Sequence, residues 1–226
     1  MQEVIAIAKT ATGLKEFLEQ YASDFFDSIT ADPSATSTRT TTVTKNGIEV
    51  PIVDYIQGSS ANNYLAGVST TILYSGTQYN RISGAFVFDD KIFLMYNTPG
   101  SDTGTVRWFS FILITKNANG DTVIATIKNN SGYDVASISE PPSGFRVWTY
   151  TITDSGAKSF TNCTYPLSNG INVINTMPFQ IYDGTVLNGL YLCTARPFAS
   201  QEYPFEIRIN DKLYALLCFN SILIEE

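Results

Sequence analysis

Residues 40–56 read Thr-Thr-Thr-Val-Thr-Lys-Asn-Gly-Ile-Glu-Val-Pro-Ile-Val-Asp-Tyr-Ile, and this stretch decides the fold class. Asn46-Gly47, placed between two β-prone runs, is the strongest short-range signal for a two-residue hairpin. Threonine, valine and isoleucine dominate both runs, and they are enriched in strands because their branched side chains pack well on a pleated sheet. The sequence therefore predicts antiparallel strands at 40–44 and 48–56.

The same pattern of short apolar runs separated by turn residues continues to the C-terminus. Asp89-Asp90, Asn119-Gly120 and Asn210-Asp211 each separate two such runs and predict further hairpins. The strands predicted after the first hairpin are 65–74, 84–88, 91–96, 106–115, 122–128, 145–152, 171–174, 179–182, 187–193, 205–209, 212–217 and 222–224. We therefore predict a mainly β chain whose body, 47–226, is an antiparallel β-sandwich or barrel-like fold. Pro141–Gly144 is the best internal break, and it either divides two β subdomains or forms a long loop in one.

Residues 1–30 follow a different periodicity. Apolar residues recur every three or four positions, which predicts one N-terminal amphipathic α-helix preceding the β body. They are Val4, Ile7, Ala11, Leu14, Leu18, Tyr21 and Phe25. Gly13 lies inside this helix and is expected to weaken it by about 1 kcal/mol relative to alanine. Ala31-Asp32-Pro33 is expected to end it, because the residue before a proline disfavours the helical region.

The predicted helix has two interpretations. Residues 31–46, which comprise a Thr/Ser-rich connector and the first strand, separate it from the body, and this favours a docking helix that packs on a neighbouring subunit. In the alternative interpretation the helix lies across its own β domain. The candidate interface residues are Ile7, Leu14, Leu18, Tyr21 and Phe25.

The composition excludes several classes of chemistry. The chain contains no histidine, which rules out Ser-His-Asp and Cys-His catalysis and histidine-ligated metal sites. Asp89-Asp90 is interpreted as a turn, where aspartate bonds the local backbone. We predict no catalytic residue, no metal ligand and no cofactor. The net charge is −7 with no basic run, which gives neither nucleic acid nor an anionic membrane an electrostatic footprint.

Three cysteines and four tyrosines are further candidates for functional residues. Cys163, Cys193 and Cys218 have neither metal-ligand spacing nor an even count, so we expect reduced, buried thiols. No signal peptide is recognisable at the start of the chain, which predicts synthesis in a reducing cytoplasm. Four tyrosines near polar turn residues are candidate interface or glycan platforms. They are Tyr64, Tyr79, Tyr133 and Tyr203.

Three stretches carry a resemblance to a known class of proteins. The helical stretch 2–29, the Thr-rich stretch 35–44 and the terminal run 204–224, Pro-Phe-Glu-Ile-Arg-Ile-Asn-Asp-Lys-Leu-Tyr-Ala-Leu-Leu-Cys-Phe-Asn-Ser-Ile-Leu-Ile, together resemble structural proteins of tailed-bacteriophage virions. The resemblance is to weakly charged β modules of tails, baseplates and capsid decorations. It implies a non-enzymatic virion component that forms homo-oligomers, binds other virion proteins and assembles in the host bacterial cytoplasm.

Two other classes of function remain open. A receptor- or glycan-binding β module would need exposed aromatic residues clustered at one end of the body. A carboxylate-only glycan hydrolase would need two acids about 5–10 Å apart in a cleft.

Overall fold

The computed structural model of the chain describes residues 5–56, 67–68, 81–97, 109–129, 144–153, 158–166, 176–180, 186–193, 205–209, 211–216 and 222–225. In this part the chain is mainly β, with antiparallel sheets and a helix near the N-terminus, as predicted. The elements are β1 (Ile5–Ala6), α1 (Gly13–Tyr21), β2 (Ser28–Ala31), β3 (Thr38–Lys45), β4 (Ile48–Tyr55), β5 (Gly67–Val68), β6 (Arg81–Val87), β7 (Lys91–Asn97), β8 (Phe109–Lys116), β9 (Thr122–Asn129), β10 (Gly144–Ile152), β11 (Lys158–Pro166), β12 (Thr176–Gln180), β13 (Val186–Cys193), β14 (Phe205–Ile209), β15 (Lys212–Leu216) and β16 (Ile222–Glu225).

The described strands form three sheets. A seven-stranded sheet has the order β1-β6-β7-β8-β9-β10-β11, a five-stranded sheet the order β12-β13-β16-β15-β14, and a four-stranded sheet the order β2-β3-β4-β5. Most neighbouring strands are also consecutive in the chain, so local hairpins build most of each sheet. β1 is an exception, because it pairs with β6, which is distant in sequence. This pairing adds the N-terminal segment to the largest sheet.

The predicted hairpin over 40–56 is confirmed. β3 and β4 pair in register down to Lys45 opposite Ile48, which leaves Asn46 and Gly47 as a two-residue turn. Both have positive φ, 50° and 73°, as a type I′ turn requires. The hairpins β6–β7, β8–β9 and β14–β15 are confirmed as well. The predicted strand 171–174, parts of the strands 65–74, 106–115, 179–182 and 212–217, and residues 141–143 of the predicted internal break lie outside the described residues.

The N-terminal region differs from the prediction. One helix over 1–30 is wrong, because the described part of that stretch contains β1, the nine-residue α1 and β2. Ile29 and Thr30 pair with Val43 and Thr42 of β3, and this long-range pairing of β-branched residues overrides the helical periodicity. Most of the Thr-rich stretch 35–44 lies in β3, which is hydrogen-bonded between β2 and β4. β3 is an interior strand of a sheet and does not act as a connector.

The centre of the seven-stranded sheet is buried on both faces. Successive side chains of a strand point to opposite faces, so the register of β6 to β9 defines two rows of aligned side chains. The first row is Ile92, Ile114 and Ile124, the second is Phe86, Phe93, Leu113 and Ala125, and every member is 0% exposed. Leu14 and Leu18 of helix α1 belong to the same buried cluster as the first row.

Candidate functional site

The predicted interface residues lie in the chain's own core. Ile7, Leu14, Leu18 and Phe25 are at most 6% exposed, and Tyr21 is partly buried against the same cluster. The four side chains that their own chain covers offer no surface to a neighbouring subunit. This corrects the docking-helix prediction and supports its alternative, in which the helix packs across its own β domain.

A buried ion pair holds this N-terminal segment in place. Arg39 of β3 and Asp54 of β4 lie opposite each other in the hairpin register, and both side chains are 0% exposed. Arg39 Nε donates to Asp54 Oδ1 at 2.6 Å, and Nη2 donates to Oδ2 at 2.8 Å. This two-pronged geometry is the strongest arrangement for a guanidinium–carboxylate pair.

The other N–H groups of Arg39 reach two further segments. Nη1 donates to the carbonyl oxygens of Ala8 at 2.6 Å and Thr10 at 2.9 Å, and Nη2 also donates to that of Ile82 at 3.2 Å. The backbone N–H of Ile82 donates to Asp54 Oδ2 at 3.0 Å. All five guanidinium N–H groups therefore have acceptors. The pair joins the N-terminal segment, the four-stranded sheet and β6 of the seven-stranded sheet.

Gly13 is part of the same junction. It begins α1, and a Cβ added there would lie 2.2 Å from the carbonyl oxygen of Ala8. That oxygen is also an acceptor for Arg39, so it cannot withdraw without losing the bond. The prediction that Gly13 merely weakens a helix is therefore wrong. Its missing side chain permits the close approach of α1 to the segment before it.

Asp27 fastens the turn of the first hairpin. Lys45 Nζ donates to its Oδ1 at 2.9 Å, and the backbone N–H of Asn46 donates to its Oδ2 at 2.7 Å. Both hydrogen bonds lower the pKa of Asp27 below its usual value, and the bond from Lys45 has the larger effect. Asn46 in turn donates its side-chain N–H to the carbonyl oxygen of Thr153 at 2.6 Å. The turn is thereby tied to the end of β10.

A depression of about 390 Å³ lies beside the end of α1. It is lined by residues of the N-terminal region, of the β6–β7 turn, of the end of β8 and of the turn after β8. These are Tyr21, Asp24 and Phe25; Asp89 and Asp90; Thr115 and Lys116; and Asn117 and Ala118. The three aspartates are exposed to solvent. Lys116 is also exposed, and its Nζ lies 5.7 Å from the ring centroid of Phe25. The depression is thus an acidic surface with one aromatic wall and one cation.

The polar groups at the base of the depression are occupied by the turns. Asn117 Oδ1 accepts the backbone N–H groups of Asn119 and Asp121, each at 2.9 Å. Thr115 Oγ1 donates to the carbonyl oxygen of Asp90 at 3.0 Å, and the Asp90 carboxylate pairs with Lys91. Asp89-Asp90 forms the turn between β6 and β7, as predicted. The remaining polar lining can hydrogen-bond a small polar or cationic group.

Within the described residues, no three His, Cys, Asp or Glu side chains come together as metal ligands. In that same part of the chain no helix has the length and apolarity to cross a membrane.

The ends of the three sheets differ in how well they are protected against pairing. β1, β2 and β5 have two to four residues each. β12 contains Pro178 beside a register shift, and β14 carries Glu206 and Arg208. Short length, proline, irregularity and charge are the devices that protect edges from association. β11 is nine residues long and pairs regularly with β10. Its interior, 159–165, contains neither charge nor proline, so among the described residues these two devices occur only at its ends, as Lys158 and Pro166.

Several predicted residues lie outside the described part of the chain. These are Tyr64, Tyr79, Tyr133, Tyr203 and Cys218. Cys163 and Cys193 have backbones in β11 and β13, and their thiols are outside the described atoms. The prediction of three reduced thiols stays a prediction.

The chain was compared with known proteins by family, by sequence and by structure. No protein family, no curated protein and no solved structure matches it.

Proposed function

We propose that this chain is a non-enzymatic structural component of a bacteriophage virion, which assembles with copies of itself and with other virion proteins through its sheet surfaces. The observation that carries the proposal is the edge of β11, which no other strand covers in the described part of the chain. A long, regular edge strand with an uncharged interior is a template for pairing with another chain. A protein that keeps such an edge is suited to a larger assembly.

The features behind the phage resemblance support this proposal unequally. The terminal run folds as the expected hairpin, β14–β15, and β16 pairs with β15 to extend it. The N-terminal helix and the Thr-rich stretch fold into the body, and they no longer support the resemblance. The proposed assembly therefore relies on sheet surfaces and not on a docking helix.

We also propose that the sheets stack as a sandwich. Both faces of the seven-stranded sheet are buried at its centre, and one faces the cluster that contains Val43 and Ile52 of the four-stranded sheet. On the other face, Lys91 lies in register with Thr115. A Cβ added at Gly189 of β13 would lie 4.0 Å from Lys91 Nζ. This proximity supports the five-stranded sheet as the cover of that face.

The virion assignment is tested on particles. Phage particles from the host culture that carries this gene are purified by density gradient, and peptides of this chain are quantified against those of the major capsid protein. We expect a fixed ratio of copies per particle, with the chain visible on particles by immunogold labelling. A chain that stays in the soluble fraction while particles are abundant would contradict the assignment.

The acidic depression supports a second candidate, a receptor- or glycan-binding module. Tyr21 supplies an aromatic surface beside the exposed carboxylates of Asp24 and Asp89, and binding sites commonly combine apolar surface with a few polar groups. A glycan array probed with wild-type chain and with Tyr21→Ala tests this. Binding that Tyr21→Ala abolishes, while an exposed distant change such as Lys9→Ala preserves it, would favour the binding module. An array with no signal would remove this candidate.

A further inference from the structure

We infer that β11 pairs with β11 of a second copy of this chain, in antiparallel orientation and centred on Asn162. The inference rests on the proposed function, because it names the first contact through which such a component would assemble. The pairing would join the two seven-stranded sheets into one continuous sheet.

The backbone of β11 presents a regular row of hydrogen-bonding groups. It pairs with β10 through nine consecutive residues, from Gly144 opposite Pro166 to Ile152 opposite Lys158, without a register shift. Alternate residues of an antiparallel strand direct their N–H and C=O groups to the opposite side. In the described part of the chain, no strand accepts the outer groups of β11. An added strand would satisfy them along the full length of β11, about 30 Å.

The charge distribution of β11 favours a second copy as that strand. In the antiparallel pairing that overlaps all nine residues, Asn162 lies opposite Asn162 of the second copy, and Lys158 lies opposite Pro166. The two lysines are then separated by eight residue steps, about 27 Å along the strands. Like charges directly opposite each other would destabilise the pair, and this register places none opposite each other. A different partner selected by charge would need charges in 159–165, and this stretch has none.

The pairing is also closed by its symmetry. An antiparallel pair of identical strands is related by a two-fold axis, so the same surface is used once on each copy. Neither copy keeps a free β11 edge after pairing. The edge can therefore keep a long, uncharged interior without driving open-ended aggregation, which explains why 159–165 lacks the protective features of the other described edges.

Position 162 allows a test by charge reversal, because residue 162 of one copy lies opposite residue 162 of the other across the two-fold axis. The full chain is measured by size-exclusion chromatography with light scattering and by analytical ultracentrifugation. We expect wild type to dimerise, and both Asn162→Lys and Asn162→Asp to weaken the dimer about tenfold or more, since each places two like charges opposite each other. An equimolar mixture of the two variants should restore the dimer. Rescue by mixing also shows that both variants are folded.

Thr164→Lys is the matched control. Residue 164 lies on the same face of β11 as residue 162, but it faces Phe160 of the second copy, so two lysines introduced there do not oppose each other. We expect this variant to dimerise nearly as well as wild type. If both charge variants fail to fold, Asn162→Cys in a Cys163→Ser background replaces them, with Thr164→Cys as its control. Mild oxidation should then link two chains through position 162 and not through 164.

The outcomes separate this inference from the proposed function. A monomeric wild type, an Asn162→Lys dimer as stable as wild type, or a failure of the two charge variants to rescue each other would overturn the β11 pairing. Equal cross-linking of positions 162 and 164 would also overturn it. If the chain is nevertheless found in particles at a fixed ratio, the virion assignment stands and another surface carries the assembly. A β11 dimer that is absent from purified particles would overturn the virion assignment and leave the pairing intact.

Discussion

Replacing Arg39 with methionine should destabilise the whole N-terminal half of the described fold. Methionine keeps much of the aliphatic volume of arginine but supplies no donor. Asp54 would then be a fully buried carboxylate that has lost its guanidinium partner, and the carbonyl oxygens of Ala8, Thr10 and Ile82 would each lose a guanidinium N–H. Three segments would lose their common contact at once.

The expected cost follows from the burial of the pair. Removing one partner of a buried ion pair costs about 3–5 kcal/mol, because it leaves an uncompensated charge in the interior. Arg39 is 0% exposed and all five of its N–H groups are used, so we expect about 4–5 kcal/mol. For a chain of this size each kcal/mol shifts the melting temperature by about 2–4 °C. The expected fall is therefore about 8–20 °C.

The assay is urea and thermal unfolding followed by circular dichroism, with Lys15→Met as the matched control. Lys15 Nζ lies 2.6 Å from Glu19 Oε1, but the two side chains are 29% and 46% exposed, so its loss should cost less than about 0.5 kcal/mol. The double variant Arg39→Met/Asp54→Asn should cost less than the sum of the two single changes, because it removes both charges together. A loss of under 1 kcal/mol for Arg39→Met would refute the account of this junction.

Three further changes test individual contacts. Gly13→Ala should destabilise the chain by about 1–3 kcal/mol, despite the higher helix propensity of alanine, because the new Cβ would lie 2.2 Å from the Ala8 carbonyl oxygen; an unchanged or higher urea midpoint would show that α1 can move away. Thr41→Val should stabilise it by about 1 kcal/mol, since Thr41 is 0% exposed and its Oγ1 has no hydrogen-bond partner among the described residues. Thr41→Ser, which keeps the hydroxyl and loses a methyl group, should destabilise it. Lys45 and Asn46 lower the pKa of Asp27, so its contribution to stability is present above the unfolded value of about 3.9 and is lost as pH falls through the folded value. Asp27→Asn should therefore lower the urea midpoint at pH 7 and leave it nearly unchanged at pH 2; an equal loss at both pH values would contradict this.

Elements that depend on local signals were predictable from the sequence. The Asn46-Gly47 turn, with both residues at positive φ, sets the register of β3 and β4 by itself. That register places Arg39 opposite Asp54, so the sequence contains the signal for a cross-strand ion pair. It contains no signal that the pair is buried. Burial arises because the segment before α1 and the start of β6 cover it, and both contacts are long-range.

The N-terminal region could not be read from its periodicity. Leu14 and Leu18 have the spacing of a helix and do lie in α1, but Ile29 has the same spacing and lies in β2 opposite Val43. An apolar period reports which residues are buried, and it does not report what covers them. The acidic depression was equally hidden, because Asp24 and Asp89 are far apart in the chain and only the packed fold brings them together.

Amide hydrogen exchange tests most directly whether this chain assembles through a sheet edge. Exchange is followed peptide by peptide in the dilute, dissociated chain and in the concentrated, assembled chain. Our account predicts that assembly slows exchange within 158–166, where the outer N–H groups of β11 gain acceptors, and leaves 13–21 equally protected in both states because α1 is already packed in its own core. Assembly that slows exchange in 5–31 while 158–166 stays unchanged would contradict it and restore the N-terminal segment as the docking surface.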